Sequence, residues 1–136
     1  MRIEHIAIWV SDLERMRAFY ERYFNGRSNQ KYTNPSKGFS SYFITFDSGA
    51  RLELMQRNDI GDNPNTPQRE FKGYVHLAMA VGDAEQGVVG QTAVDTLTET
   101  LRDNGYTILG EPRTTGDGYY ESVVLDPEGN RIEITI

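Results

Sequence analysis

The chain carries one alternating stretch twice, and this duplication constrains its fold more than any other feature. Residues 5–8 read H-I-A-I, and residues 76–79 read H-L-A-M. In both stretches the side chains alternate between an aliphatic face and a face of one histidine beside small residues, as they must along a β-strand. The later pieces also correspond, since F-D-S-G-A-R-L-E-L at 46–54 matches L-D-P-E-G-N-R-I-E-I at 125–134. The sequence therefore predicts two similar modules, each beginning and ending with a strand.

The first module is predicted to run from strand to helix to further strands. Alternation predicts the opening strand over residues 2–10. Ser11 fits a capping box at the start of an amphipathic helix, and Asn25-Gly26 suits its end. Two more strands are expected over residues 40–47 and 50–56.

The second module repeats this order with one irregular insertion. Residues 82–91 form that irregular segment, and Thr92 is predicted to cap the second helix. Asn104-Gly105 is expected to close the helix. After the helix we expect a short strand at 106–109, a loop at 111–118 and a hairpin of strands at 119–125 and 130–136.

We therefore predict an α+β fold made of two βαβββ modules that form a cup-shaped mixed sheet with the helices on its outer face. The first module spans residues 1–57 and the second spans 74–136. The polar residues 58–73 contain Pro64 and Pro67 and connect the two modules. At 136 residues, the two modules are expected to make a single domain.

Composition excludes several classes of function. The net charge of −6 argues against nucleic acid or an anionic membrane surface as a partner. The chain has no cysteine, which excludes disulfides, thiol nucleophiles and thiolate metal sites. No apolar run approaches the ~20 residues that a membrane span needs, and the first residues do not resemble a signal peptide. We expect a soluble, cytoplasmic protein.

The candidate chemistry lies on the histidine-bearing side of the strands. Each module contributes one histidine from its first strand and one glutamate from its last: His5, Glu53, His76 and Glu133. Two imidazoles and two carboxylates suit a divalent nickel, cobalt, manganese, iron or zinc ion. Four such ligands leave one or two positions open for water or substrate, as in Lewis-acid enzymes. A single histidine or glutamate on a strand more often has a structural role. Here the same pair occurs in both modules and includes both histidines of the chain, which favours a metal site.

These motifs resemble the vicinal-oxygen-chelate superfamily of glyoxalase I, fosfomycin-resistance and bleomycin-resistance proteins. The resemblance covers the whole chain and is carried by H-I-A-I-W-V-S-D-L at 5–13, F-Y at 19–20, H-L-A-M-A-V at 76–81 and the last hairpin. It implies two βαβββ modules around one metal ion, with the modules often paired across a homodimer. It also implies that His5, Glu53, His76 and Glu133 are the ligands.

Within that superfamily, the order His, Glu, His, Glu is similar to bacterial glyoxalase I. The resemblance implies a metal-dependent lyase or isomerase, which converts the hemithioacetal of a 2-oxoaldehyde and a thiol. The metal would hold two adjacent oxygens of the small-molecule substrate and stabilise developing negative charge. Glu133 or Glu53 would move the proton between neighbouring carbons.

The chain departs from bacterial glyoxalase I at two positions. Trp9 stands where those enzymes have an arginine that grips glutathione, and Arg57 stands where they have an asparagine. We expect these two residues to define a different substrate pocket. Glu121 shares strand parity with Val123 and Leu125. On the side of the histidines it would be a further carboxylate in the pocket and a candidate base, whereas on the other side it would be a surface charge.

Two other functions remain open. A thiol transferase of the fosfomycin-resistance type would use two histidines and one glutamate, so Glu53 would fill a position that such enzymes leave free. A binding protein of the bleomycin-resistance type would sequester a small molecule without turnover. Bleomycin-binding members lack the metal ligands, which this chain retains.

Overall fold

The computed structural model describes residues 1–82 and 90–136 and confirms the predicted α+β class. Residues 83–89, which make up most of the segment predicted to be irregular, lie outside the described residues. The chain divides into two units, Met1–Asp62 and Asn63–Ile136. In the described part of the chain, no helix is long and apolar enough to span a membrane.

The first unit is a five-stranded mixed sheet with one α-helix. Its elements are β1 (His5–Trp9), α1 (Leu13–Tyr23), β2 (Arg27–Ser28), β3 (Tyr32–Asn34), a 3₁₀ turn (Pro35–Lys37), β4 (Phe39–Thr45) and β5 (Arg51–Gln56). The strand order is β1-β5-β4-β2, and β3 also pairs with β4. Strand β1 runs parallel to β5, whereas the other pairings are antiparallel.

The second unit repeats this arrangement with four strands. Its elements are β6 (His76–Ala80), α2 (Gln91–Asp103), β7 (Ile108–Thr114), β8 (Tyr120–Leu125) and β9 (Arg131–Thr135). The order is β6-β9-β8-β7, with β6 parallel to β9. The first strand of each unit therefore pairs with the last one.

Helix α1 covers the aliphatic face of the first sheet. Its buried residues follow helical spacing and are Leu13, Met16, Phe19 and Tyr20. The predicted cap at Ser11 is wrong, because the next residue has the extended backbone that a cap requires. Asp12 has φ −119° and ψ 90°, and its carboxylate accepts a hydrogen bond from the Arg15 amide at 2.9 Å.

Helix α2 begins without a side-chain cap. The predicted cap at Thr92 is wrong, since the helix already begins at Gln91 after a cap at Gly90, whose φ is 60°. A positive φ is unfavourable for residues with a Cβ atom, so a glycine suits this entry to the helix. The predicted end is confirmed, because the helix closes at Asp103 and Gly105 has φ 83°.

Strand β7 is longer than predicted. It continues to Thr114, so residues 111–114 are strand instead of loop. Its pairing with β8 shifts register between Ile108 and Gly110 and again between Gly110 and Arg113. The strand contains Gly110 and Pro112, two residue types that weaken the sequence signal of a strand, which explains the error.

A buried pair of hydroxyl groups joins α2 to β8. The Thr98 hydroxyl donates to the Val94 carbonyl oxygen at 2.7 Å and lies 2.7 Å from the Ser122 hydroxyl. Because the single Thr98 proton is used by Val94, Ser122 is the donor to Thr98. Both residues are fully buried.

Thr98→Val should lower the free energy of unfolding by about 1–3 kcal/mol, because the buried Ser122 hydroxyl then loses its acceptor. Adding Ser122→Ala should restore part of this loss, since the orphaned donor is removed as well. Urea denaturation of both single variants and the double variant measures the coupling. Strictly additive losses would contradict the pairing.

Candidate metal centre

Each sheet has a helix-covered face and an opposite face that carries the histidine. On the covered face of β5, Leu52 is 2% exposed and Leu54 is fully buried. The opposite face, which we call the histidine face, includes His5, Ala7 and Trp9 on β1 and Arg51, Glu53 and Met55 on β5. In the second unit the histidine face includes His76, Ala78, Ala80, Arg131, Glu133 and Thr135.

The strand register places each histidine near the glutamate of the same unit. His5 lies opposite Arg51, and Ala7 lies opposite Glu53. The second unit has the same register, with His76 opposite Arg131 and Ala78 opposite Glu133. Alanine beside each glutamate leaves space above the sheet, so the carboxylate and the imidazole of one unit can approach each other.

In the first unit the imidazole has a different partner at each nitrogen. His5 Nε2 lies 3.9 Å from Glu53 Oε2, which is too long for a hydrogen bond. His5 Nδ1 lies 2.5 Å from Glu4 Oε2. The hydrogen bond from His5 is the main cause that lowers the pKa of Glu4 below its ordinary value, and the guanidinium of Arg51 adds to it.

In the second unit a further carboxylate joins the pair. His76 Nε2 lies 3.5 Å from Glu133 Oε2. Glu121 lies opposite Thr135 on the histidine face, as one of the two predicted possibilities requires, and is 9% exposed. Burial raises the pKa of Glu121, and the charge of Glu133 raises it further. Arg113 opposes this shift, with its Nη2 donating to Glu121 Oε1 at 3.3 Å.

The chemistry of each pair fits half of a metal site. Two donor atoms bonded to one ion at ~2.1 Å lie about 3.0–3.4 Å apart in octahedral or tetrahedral geometry. The His76–Glu133 pair is close to this range at 3.5 Å. At 3.9 Å the His5–Glu53 pair is wider than this range by about half an ångström.

The candidate donors occur as two pairs, one in each unit. Within residues 1–82 and 90–136, no group of three or more histidine, aspartate or glutamate side chains is arranged to hold a metal ion. The prediction that His5, Glu53, His76 and Glu133 share one ion therefore stays a prediction.

The predicted pocket residues of the first unit belong to an aromatic row. The Arg57 guanidinium lies 5.2 Å from the centre of the Trp9 ring, and its Nε donates to Asp59 at 2.5 Å. Trp9 packs edge-to-face on Phe39 at 6.1 Å, and Phe39 lies 6.1 Å from Tyr32. Trp9 is 39% exposed and Tyr32 is 53% exposed.

Sequence reasoning missed three neighbours of these predicted residues. Phe39 and Tyr32 were not recognised, although Phe39 adjoins the strand predicted from residue 40 and extends its alternation. Glu4 was missed because consecutive strand residues point to opposite faces, which would place Glu4 away from His5. The second module also gives no hint, since Val75 stands at the corresponding position. Glu4 directly precedes β1, which begins at His5, and its backbone carbonyl accepts a hydrogen bond from the Arg51 amide at 3.0 Å.

Known proteins resemble this chain in sequence or in fold. The Bacillus subtilis (strain 168) protein "Uncharacterized protein YqjT" is 29% identical over 135 residues, which cover 97% of this chain and 96% of the relative. Glyoxalase I from Zea mays is 22% identical with a TM-score of 0.75 over 98% of this chain and 44% of that one. The chain thus spans less than half of the maize enzyme.

The trypanothione-dependent glyoxalase I of Leishmania major is 23% identical, with a TM-score of 0.71 over 99% of this chain and 86% of that one. These structural likenesses establish the fold. The family model described as "Glyoxalase/Bleomycin resistance protein/Dioxygenase superfamily" matches residues 2–134, nearly the full length of the sequence. The chain therefore belongs to the Glyoxalase/Bleomycin resistance protein/Dioxygenase superfamily.

Proposed function

We propose that this protein is a metal-dependent lyase or isomerase of the glyoxalase I type, acting on a small substrate with two adjacent oxygens. The observation that carries the proposal is the pair of equivalent His–Glu contacts, with Nε2–Oε2 distances of 3.9 Å and 3.5 Å on matching strand registers. If these histidines and glutamates were only solvent-exposed surface residues, nothing would require the same two donor types at the same register in both units.

One divalent ion would be held by His5, Glu53, His76 and Glu133. Imidazole nitrogen and carboxylate oxygen suit nickel, cobalt, zinc, manganese or iron(II). When bound, the ion would supply Lewis-acid polarisation of the substrate oxygens. Each unit contributes one pair, so the site needs both units. The two pairs can meet within one chain or across two chains, and the resemblance to the superfamily favours a homodimer.

The carboxylates of this chain would carry the proton. An isomerisation between neighbouring carbons needs a base that takes a proton from one carbon and returns it to the next. Glu133 or Glu53 is suited to this role, since each lies on the histidine face and has two oxygens, of which one can face the substrate. Glu121 would line the substrate pocket beside Glu133, where burial and the neighbouring carboxylate raise its pKa.

The first unit would recognise the remainder of the substrate. Trp9 and Arg57 present an aromatic surface and a stacked guanidinium on the same sheet as His5. This surface suits a planar or apolar group better than the extended peptide of glutathione. The trypanothione dependence of the Leishmania major enzyme shows that glyoxalase I of another organism uses a different thiol.

A second candidate function is binding of a small aromatic molecule without turnover. The exposed row of Trp9, Phe39 and Tyr32 favours it, because exposed aromatic rings commonly mark binding surfaces. The retained His–Glu pairs favour the enzyme. Turnover of an oxoaldehyde–thiol adduct separates the two functions.

The metal proposal predicts about one nickel, cobalt or zinc ion per set of four ligands. His5→Ala and Glu133→Gln should each weaken nickel affinity by about tenfold or more, because each removes one donor atom. Competition titration against a chromophoric chelator measures the affinity.

Glu111→Gln is the matched control for Glu133→Gln. It removes one carboxylate from the same unit, but Glu111 pairs with Arg102 of helix α2 at 2.6 Å and has no part in the predicted centre. Its nickel affinity should equal that of the wild type. Equal losses in both glutamate variants would contradict a specific site.

The pocket proposal predicts that Trp9→Ala and Arg57→Ala raise KM for an active thiol adduct by about tenfold while kcat changes little. The reason is that these side chains would bind substrate equally in the ground and transition states, at ~1 kcal/mol or somewhat more per aromatic contact. Steady-state assays of methylglyoxal with a panel of thiols, using nickel-loaded protein, provide the measurement.

Arg22→Ala is the control for the pocket variants, since Arg22 stacks on Tyr23 of helix α1 at the same 5.2 Å distance. It should leave KM unchanged. No turnover with any metal and thiol, combined with tight binding of aromatic compounds, would favour the second candidate function.

A further inference from the structure

The Glu4 carboxylate is divided between two neighbours on the histidine face of the first unit. Its Oε2 lies 2.5 Å from His5 Nδ1, and its Oε1 accepts a hydrogen bond from Nη2 of Arg51. Arg51 is the residue directly opposite His5 in the β1–β5 ladder. The β1–β5 pairing therefore positions Arg51, and Arg51 in turn positions the Glu4 carboxylate. Glu4 is thus fixed by its contact with Arg51 and by its contact with the imidazole.

Phe43 supports the other side of this arrangement. Its ring meets the His5 ring edge-on, with centres 5.3 Å apart and planes at 89°. The Arg51 guanidinium lies 4.2 Å from the centre of the same Phe43 ring. Glu4, His5, Arg51 and Phe43 thus contact one another in a closed group, which we call the Glu4 frame.

The Glu4 frame selects one tautomer of His5. An ionised carboxylate can only accept hydrogen bonds, so the proton of the neutral imidazole lies on Nδ1. The lone pair then lies on Nε2, the nitrogen that faces Glu53 at 3.9 Å. A metal ligand needs this arrangement, and a carboxylate on the far nitrogen of a ligand histidine fixes its tautomer and raises its basicity.

Among the described residues of the second unit, none forms such a frame around His76. The residue before His76 is Val75, and Val123 takes the place of Phe43 opposite the glutamate. Arg131, the counterpart of Arg51, is turned to Glu70 and to the carbonyl oxygen of Thr66. In the described part of the chain, the His76 ring has its polar contact with Glu133.

We propose that Glu4 is a positioning residue that presents His5 Nε2 to the metal ion, so that His5 is the pre-oriented imidazole ligand and His76 is the adaptable one. The inference rests on the proposed function, because it assigns Glu4 to the same metal centre. Glu4 does not touch the ion and acts only through His5. The two halves of the centre are therefore equivalent in donors but unequal in preorganisation.

The test begins with the metal-free protein. Nitrogen-15 NMR of the labelled imidazoles reports which ring nitrogen carries the proton, and with only two histidines the signals are assigned with His5→Ala and His76→Ala. Above the pH at which both rings are neutral, wild-type His5 should be in the Nδ1–H form. Glu4→Ala should shift His5 to a mixture of tautomers and leave the His76 signals unchanged.

Nickel affinity gives the second readout. Glu4→Ala should weaken binding by about 10- to 100-fold, and Glu4→Gln should weaken it less, because the amide oxygen still accepts from Nδ1. Glu70→Ala is the matched control, since it also removes a glutamate paired with the equivalent arginine but does not contact an imidazole. It should change neither the His5 tautomer nor the affinity.

The outcomes separate this inference from the proposed function. Wild-type nickel binding with equal affinities in Glu4→Ala and Glu70→Ala would overturn the role of Glu4 alone. So would a wild-type His5 in the Nε2–H form. A wild-type protein that binds none of nickel, cobalt, zinc, manganese or iron(II) would overturn the proposed function and, with it, the role of Glu4 as a positioning residue.

Discussion

The parallel pairing of first and last strands is the constraint on which the rest of the structure depends. In each unit it joins segments from the two ends of the module and fixes their register to the residue. Because side chains alternate along a strand, this register decides which residues share a face. A slip by one residue would move Glu53 or Glu133 into the core and bring a leucine or isoleucine to the imidazole. The aliphatic residues that pack on the helices therefore also align the candidate ligands.

The two units share this framework but differ around their histidines. The first unit surrounds His5 with a carboxylate, a guanidinium and aromatic rings, whereas the second places a buried carboxylate, Glu121, beside Glu133. These additions suggest a division of labour for the proposed centre. The first unit would hold the metal and the bulk of the substrate, and the second would supply the acidic environment for proton transfer. The duplicated modules would provide equivalent metal ligands, and the different residues around each histidine would give the two units different roles.

Much of the fold was predictable because local alternation and turn chemistry agree with the tertiary structure. The histidine faces follow from period-two alternation alone, and the helix ends follow from glycine and asparagine. The errors have local physical causes. Ser11 and Asp12 both have cap side chains, and only the backbone angles choose between them. Gly110 and Pro112 weakened the strand signal of β7 in the sequence. The Glu4–His5 contact was unpredictable, since it depends on where β1 begins and on an arginine 47 residues away.

The most direct test of the central claim is a crystal structure of the nickel-loaded protein, with the ion located by its anomalous scattering. We expect a single strong site bonded to His5 and Glu53 of one unit and to His76 and Glu133 of another, within one chain or across a dimer. An ion bound by only one of the two pairs, or by neither, would contradict the account.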